Sequence, residues 1–175
     1  MIEFERHPVK LEHMNTRVEQ HGDQEAPMLD LKFSADLPNT KLNELSETLR
    51  AALFAAEEQP DMLGPNAEHM PVLKNPQLGT LHWAADLKPV MLTLHLGARA
   101  RDDLVLGGGK LGKVTLRPVN GGSFAFGFRL QVEPGNNMAS KLITLLRHEV
   151  PGTLNCSEAA MTNGADDDDE GGGEP

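Results

Sequence analysis

The residues in this chain best spaced for chemistry are Gly107-Gly108-Gly109-Lys110-Leu111-Gly112-Lys113, which match the GxxxxGK pattern of a phosphate-binding loop. Such a loop cradles phosphates with backbone N–H groups. It needs a Ser or Thr next for magnesium, and then a helix whose N-terminus faces the anion. Here Val114 takes the hydroxyl position and the pattern that follows is that of a strand. The run is therefore expected to be a flexible hairpin loop carrying two lysines. The histidines His7, His13, His21, His69, His82, His95 and His148 show no HxH or HExxH spacing. Cys156 has no second cysteine, and Asp102-Asp103 are adjacent rather than spaced around an ion. Ser46, Ser123 and Ser140 lie in no nucleophile elbow. No metal and no cofactor is expected, and the chain reads as a non-enzyme.

Charge is more informative. Between Leu81 and Gln131 stand Lys88, Arg99, Arg101, Lys110, Lys113, Arg117 and Arg129, against Asp86, Asp102 and Asp103, a local balance of +4. A basic sheet face tracks a phosphate backbone. These seven residues, with Trp83 as a stacking ring, are the expected contacts to single-stranded nucleic acid. The opposite sign collects at the C-terminus. Asp166, Asp167, Asp168, Asp169, Glu170 and Glu174 hold six of the 26 acids, and no base lies among residues 165–175. The net charge of −10 thus divides into a nearly neutral body, 20 acids against 16 bases, and an intensely acidic tail. Asp166, Asp167, Asp168, Asp169 and Glu170 are expected to engage a protein partner or to fold back on the basic face. A basic sheet with an acidic tail is also the layout of bacterial and phage single-strand-binding proteins. Those tails end in an aromatic or apolar residue, whereas this one ends Gly173-Glu174-Pro175.

The elements that must position these groups are mostly strands. The stretch from Val114 to Val132 reads as a hairpin. Phe124, Phe126, Phe128, Leu130 and Val132 alternate with Ala125, Gly127, Arg129 and Gln131, and Asn120-Gly121-Gly122-Ser123 makes the turn. The three phenylalanines are expected at the centre of the core, with stacking on bases as the alternative. Arg117 and Arg129 flank the turn on the polar face. Earlier in the chain, Leu29, Leu31, Phe33, Ala35 and Leu37 define a clear strand, preceded by a looser one over Val9 to Val18. Pro38-Asn39-Thr40 offers an N-cap for an amphipathic helix to about Ala56. Residues 57–80 form a long loop with a short strand near Val72-Leu73, and Val90, Leu92, Leu94 and Leu96 start the next strand. Leu104-Val105-Leu106 is a short strand, residues 137–148 are a second helix, and Thr153-Leu154 a final strand. Residues 157–175 lose periodicity.

The expected fold is α+β: a mostly antiparallel β-sheet or small β-sandwich with two packed helices and a disordered acidic C-terminal tail. Residues 1–156 make a single β-rich domain and residues 157–175 the tail. The single cysteine excludes an internal disulfide framework. The charged N-terminus and the lack of a long apolar run predict no signal peptide and no membrane contact. A cytoplasmic protein, free to oligomerise, is expected.

The segments HGDQEAPMLDLKFSADLP (21–38), LRAALF (49–54), LRPVNGGSFAFGFRLQVEP (116–134) and SKLITLLRHEV (140–150) resemble a family of small uncharacterised phage and prophage proteins. The likeness spans most of residues 5–155. It implies an early accessory role beside recombination or replication functions, in DNA transactions or in defence against host immunity. A single-strand-binding accessory protein is the leading expectation. The alternatives are a protein-binding antagonist of a host defence complex, with the acidic tail as charge mimic, and a virion or assembly component.

Overall fold

Strand-length alternation dominates the chain, and the computed structural model, which describes residues 1–57, 69–158 and 160–162, follows it. In order along the chain run β1 (Phe4–His21), β2 (Gln24–Pro38), α1 (Leu49–Leu53), β3 (Phe54–Ala55), β4 (Val72–Leu73), β5 (Leu81–Trp83) and β6 (Asp86–Leu94). Then come β7 (Leu104–Val119), β8 (Ser123–Val132), α2 (Met138–Leu145), β9 (Glu149–Asn155) and β10 (Ala160–Thr162). All strand pairings are antiparallel.

The pairings close on themselves. The order β6-β9-β1-β2-β8-β7 returns to β6 through pairs such as Leu92↔Leu106 and Leu94↔Leu104. The antiparallel β architecture expected from the sequence is present, as a closed six-stranded barrel rather than an open sheet or a sandwich. Closure satisfies both edges of every barrel strand over part of its length, which removes the exposed edges of an open sheet. One face of each strand then points into the barrel. Leu31 and Phe33 of β2, Phe126, Phe128 and Leu130 of β8, Leu106 and Leu111 of β7, and Leu92 and Leu94 of β6 are at most 1% exposed. Each such side chain contributes roughly 1.5–3 kcal/mol of burial. Phe128 sits at the centre, its ring 5.5 Å from Phe33 and 5.2 Å from Phe126. The phenylalanines are core, so stacking of these rings on bases is excluded.

The glycine run departs from expectation. Residues 107–113 are a continuous part of β7, not a hairpin loop. Gly108 has φ +66°, and a Cβ on Gly109 would fall 2.8 Å from both Leu130 Cδ1 and Val132 Cγ1. The glycines let β7 bend and lie close against β8. The first helix also departs. A 3-10 segment (Asn39–Glu44) and the five-residue α1 replace the expected run to Ala56. Asn39 makes no cap. It is buried, donates from Nδ2 to Met70 O at 2.7 Å and accepts from Arg50 Nε at 3.0 Å. Phe54 is fully buried and leaves the helix to pair with Leu73. Tertiary anchoring of Asn39 and Phe54 has overridden the helical period.

The second helix forms as expected, with Leu142 buried and Met138 and Leu145 packed on the core. Leu146, just beyond the helix end, is 38% exposed. The short strand near Val72-Leu73 is β4, and residues 58–68 of that loop lie outside the described residues. The final strand grows to β9 and runs through Pro151-Gly152. Ala160–Thr162, assigned from sequence to the tail, pairs with β6 through Ala160↔Lys88 and Thr162↔Asp86. The acidic residues that follow lie outside the described residues. Among the described residues, no helix is long and apolar enough to cross a membrane.

Candidate functional site

Among the described residues, the inward positions of the barrel are filled by apolar side chains, so its charged and hydroxyl groups stand on the outer face. Alternation sends Lys32, Ser34 and Asp36 of β2, Ala125, Gly127 and Arg129 of β8, and Thr115 and Arg117 of β7 outward. Register aligns them in cross-strand rows. Gly112, Arg129 and Lys32 form one row, continued by His13 on β1. Thr115, Gly127 and Ser34 form the next, continued by Lys10. Arg117, Ala125 and Asp36 form the third.

The first row contains a cost. Lys32 and Arg129 are directly opposed like charges, an arrangement that destabilises an antiparallel pair by a few tenths of a kcal/mol or more. Neither has an ion pair among the described residues, and neither do Lys113 and Arg117. Lys113 sits at a bulge, where the β7–β8 register shifts between Gly112 and Thr115, with φ +48°. A bulge re-aims a side chain. Here it leaves an exposed lysine beside Arg129. Lys110 lies 2.9 Å from Asp86, and Asp86, Lys110, Gly112, Lys113, Arg129 and Gln131 line a small cleft of about 100 Å³.

Beside this cluster runs a larger open groove of about 870 Å³. Its floor is made of short outward residues, Ser34, Thr115, Ala125 and Gly127, so a bound chain can approach the sheet closely. Its rims carry both signs, Lys10, Lys32 and Arg117 against Glu12, Asp36 and Glu149. Ser34 Oγ donates to Glu12 Oε1 at 2.7 Å, and Lys10 lies 3.2 Å from the same carboxylate. The Ser34 hydrogen bond, with help from Lys10, holds the Glu12 carboxyl below its usual range against the opposing effect of burial.

Of the residues singled out from sequence, Lys110, Lys113, Arg117 and Arg129 come together on this face. Arg117 and Arg129 are separated by about 13 Å along the strand direction, at ~3.3 Å per residue. Lys88 stands on β6 beside Ala160 of β10. Arg99 and Arg101 lie in the connection after β6, at the Leu104 end of β7 and away from the cluster, with Arg101 3.9 Å from Asp102. Trp83 is half-buried in β5, packed against the core and paired in register with Val114 of β7. Sequence reasoning missed Lys10 and Lys32. Lys32 was visible as a polar-face residue of the clearest strand, but its place beside Arg129 depends on which strands pair.

Two other arrangements lie outside the lining of this groove. His95 Nδ1 is 2.8 Å from Asp103 Oδ2 and His95 Nε2 2.8 Å from Thr153 Oγ1, a chain of acid, imidazole and hydroxyl. The Thr153 hydroxyl also accepts from Arg6 N–H at 3.1 Å, so the group ties the connection between β6 and β7 to β9 and β1. Cys156 is buried, and burial pushes its thiol up to about 11. Among the described residues, no three His, Cys, Asp or Glu side chains gather to hold a metal. No family model, curated protein or solved structure matches this chain.

Proposed function

We propose that the chain is a non-enzymatic accessory protein of DNA metabolism, of phage type, that binds single-stranded nucleic acid through its phosphates. The contacts are Lys113, Arg129, Lys32 and Arg117 on the outer face of the barrel. The observation that carries this reading is the opposed Lys32–Arg129 pair, unneutralised and extended by the bulge-borne Lys113. A phosphate between like charges turns a repulsion that costs the free protein stability into an attraction. The small-residue floor gives a flexible single strand room to lie on the sheet. With the phenylalanines inside, the contacts are to backbone rather than bases, and little sequence preference follows.

The test is anisotropy of a labelled single-stranded oligonucleotide across a salt series. Each phosphate contact on a single strand contributes roughly 0.7 to the slope of log affinity against log salt. Lys32→Gln with Arg129→Gln is therefore expected to flatten the slope by about 1.4. An unchanged slope discards the assignment. The mixed charge of the groove rims favours a second reading, a protein-binding antagonist that receives a partner segment bearing both signs. It predicts no affinity for oligonucleotides at low salt.

A further inference from the structure

The last described strand ends beside the basic cleft. β10 runs antiparallel to β6 from Ala160↔Lys88 to Thr162↔Asp86, so the chain is travelling towards Asp86 as it leaves. Asp86 is the residue that holds Lys110 and lines the cleft with Lys113 and Arg129. β10 lies on one side of β6 and β7 on the other, a separation of about two strand spacings, or roughly 10 Å. From Thr162, Asp166 is four residues on and Glu170 eight. At ~3.3 Å per residue they reach roughly 13 and 26 Å. The cleft offers three cations against one carboxylate, and residues 166–170 are five consecutive acids.

We infer that residues 166–170 of this same chain dock on the Lys110, Lys113 and Arg129 cleft and compete there with an external polyanion. Sign, reach and direction of exit all point to that occupant. A tether of four to eight residues presents it at an effective concentration of the order of millimolar, so weak individual contacts are enough. The competing half of the inference rests on the nucleic-acid reading. The docking half does not.

The test uses the full chain beside a variant with Asp166→Asn, Asp167→Asn, Asp168→Asn, Asp169→Asn and Glu170→Gln. Backbone amide NMR shifts of the two are compared at low and high salt, and anisotropy with a single-stranded oligonucleotide is run in parallel. Shift differences concentrated at residues 110–113 and 129–131, and erased by 0.5 M salt at a Debye length of about 4 Å, are expected. So is oligonucleotide binding at least about tenfold tighter for the neutralised tail at low salt, in line with the release of a tethered competitor. Differences confined to the tail itself overturn the inference, whatever the oligonucleotide does. Cleft shifts with equal oligonucleotide affinity in both forms overturn the competition. Cleft shifts with no oligonucleotide binding by either form support docking and remove the nucleic-acid reading instead.

Discussion

Two residues show most directly how this chain trades stability and reactivity against position. Lys113 holds a left-handed backbone that a side chain adopts at a cost of about 1 kcal/mol. Lys113→Gly relieves that strain, while glycine's looser unfolded state takes back part of the gain. The variant is expected to hold or raise its urea midpoint while losing oligonucleotide affinity, which denaturation and anisotropy together measure. A clear loss of stability makes the lysine a packing residue instead. Cys156 is the opposite case, a group that the fold silences. Its thiol ionises near 11 in the folded chain against 9.0 in the open one. The unfolded chain therefore loses this proton first, and the stability it lends is complete below pH 9 and drains away between 9 and 11. Urea denaturation of the wild type and Cys156→Ala across that range is expected to show a difference that shrinks with rising pH. The chain has no tyrosine to titrate alongside it. A thiol reagent at pH 8 is expected to modify the native protein about a hundredfold more slowly than the denatured one.

At the level of elements, strands were legible in the sequence and helices less so, for one reason. A strand's period is written in its own residues, and β2 and β8 alternate cleanly enough that every inward residue from Leu29 to Leu37 and from Phe124 to Val132 is read correctly. The apolar stripe over residues 42–56 looked helical because its spacing is helical. Yet Asn39 and Phe54 find better partners outside a helix, in Met70 and Leu73. Only the neighbours of those two residues decide the outcome. Glycines misled in the same way, since Gly109 is demanded by Leu130 and Val132 across the ladder, not by a turn. The hairpin of β7 and β8 carries the core, and Phe128→Ala is expected to cost about 3–5 kcal/mol in urea denaturation. Phe128→Leu, milder in volume change, is expected to leave oligonucleotide affinity intact. A selective loss of affinity in that variant shows instead that the binding face depends on the packing of the core beneath it.

For the whole molecule, pairing partners were the missing information. Seven bases were visible between Leu81 and Gln131, but only barrel closure sorts Lys110, Lys113, Arg117 and Arg129 onto one face, adds Lys10 and Lys32, and sends Arg99 and Arg101 to the end of β7. Closure also joins the two ends of the described chain. Phe4 of β1 pairs with Leu154 of β9, and the Cys156 backbone N–H donates to Glu3 Oε1 at 2.7 Å. A ribosome delivers these partners far apart in time. β1 is made some 140 residues before β9, so one of its edges and one edge of β6 stay unpaired until β9 is out. No order of local folding can shorten that wait. The nascent chain spends it as an incomplete sheet with two sticky borders, and a contact of such sequence separation places this barrel among slow-folding topologies.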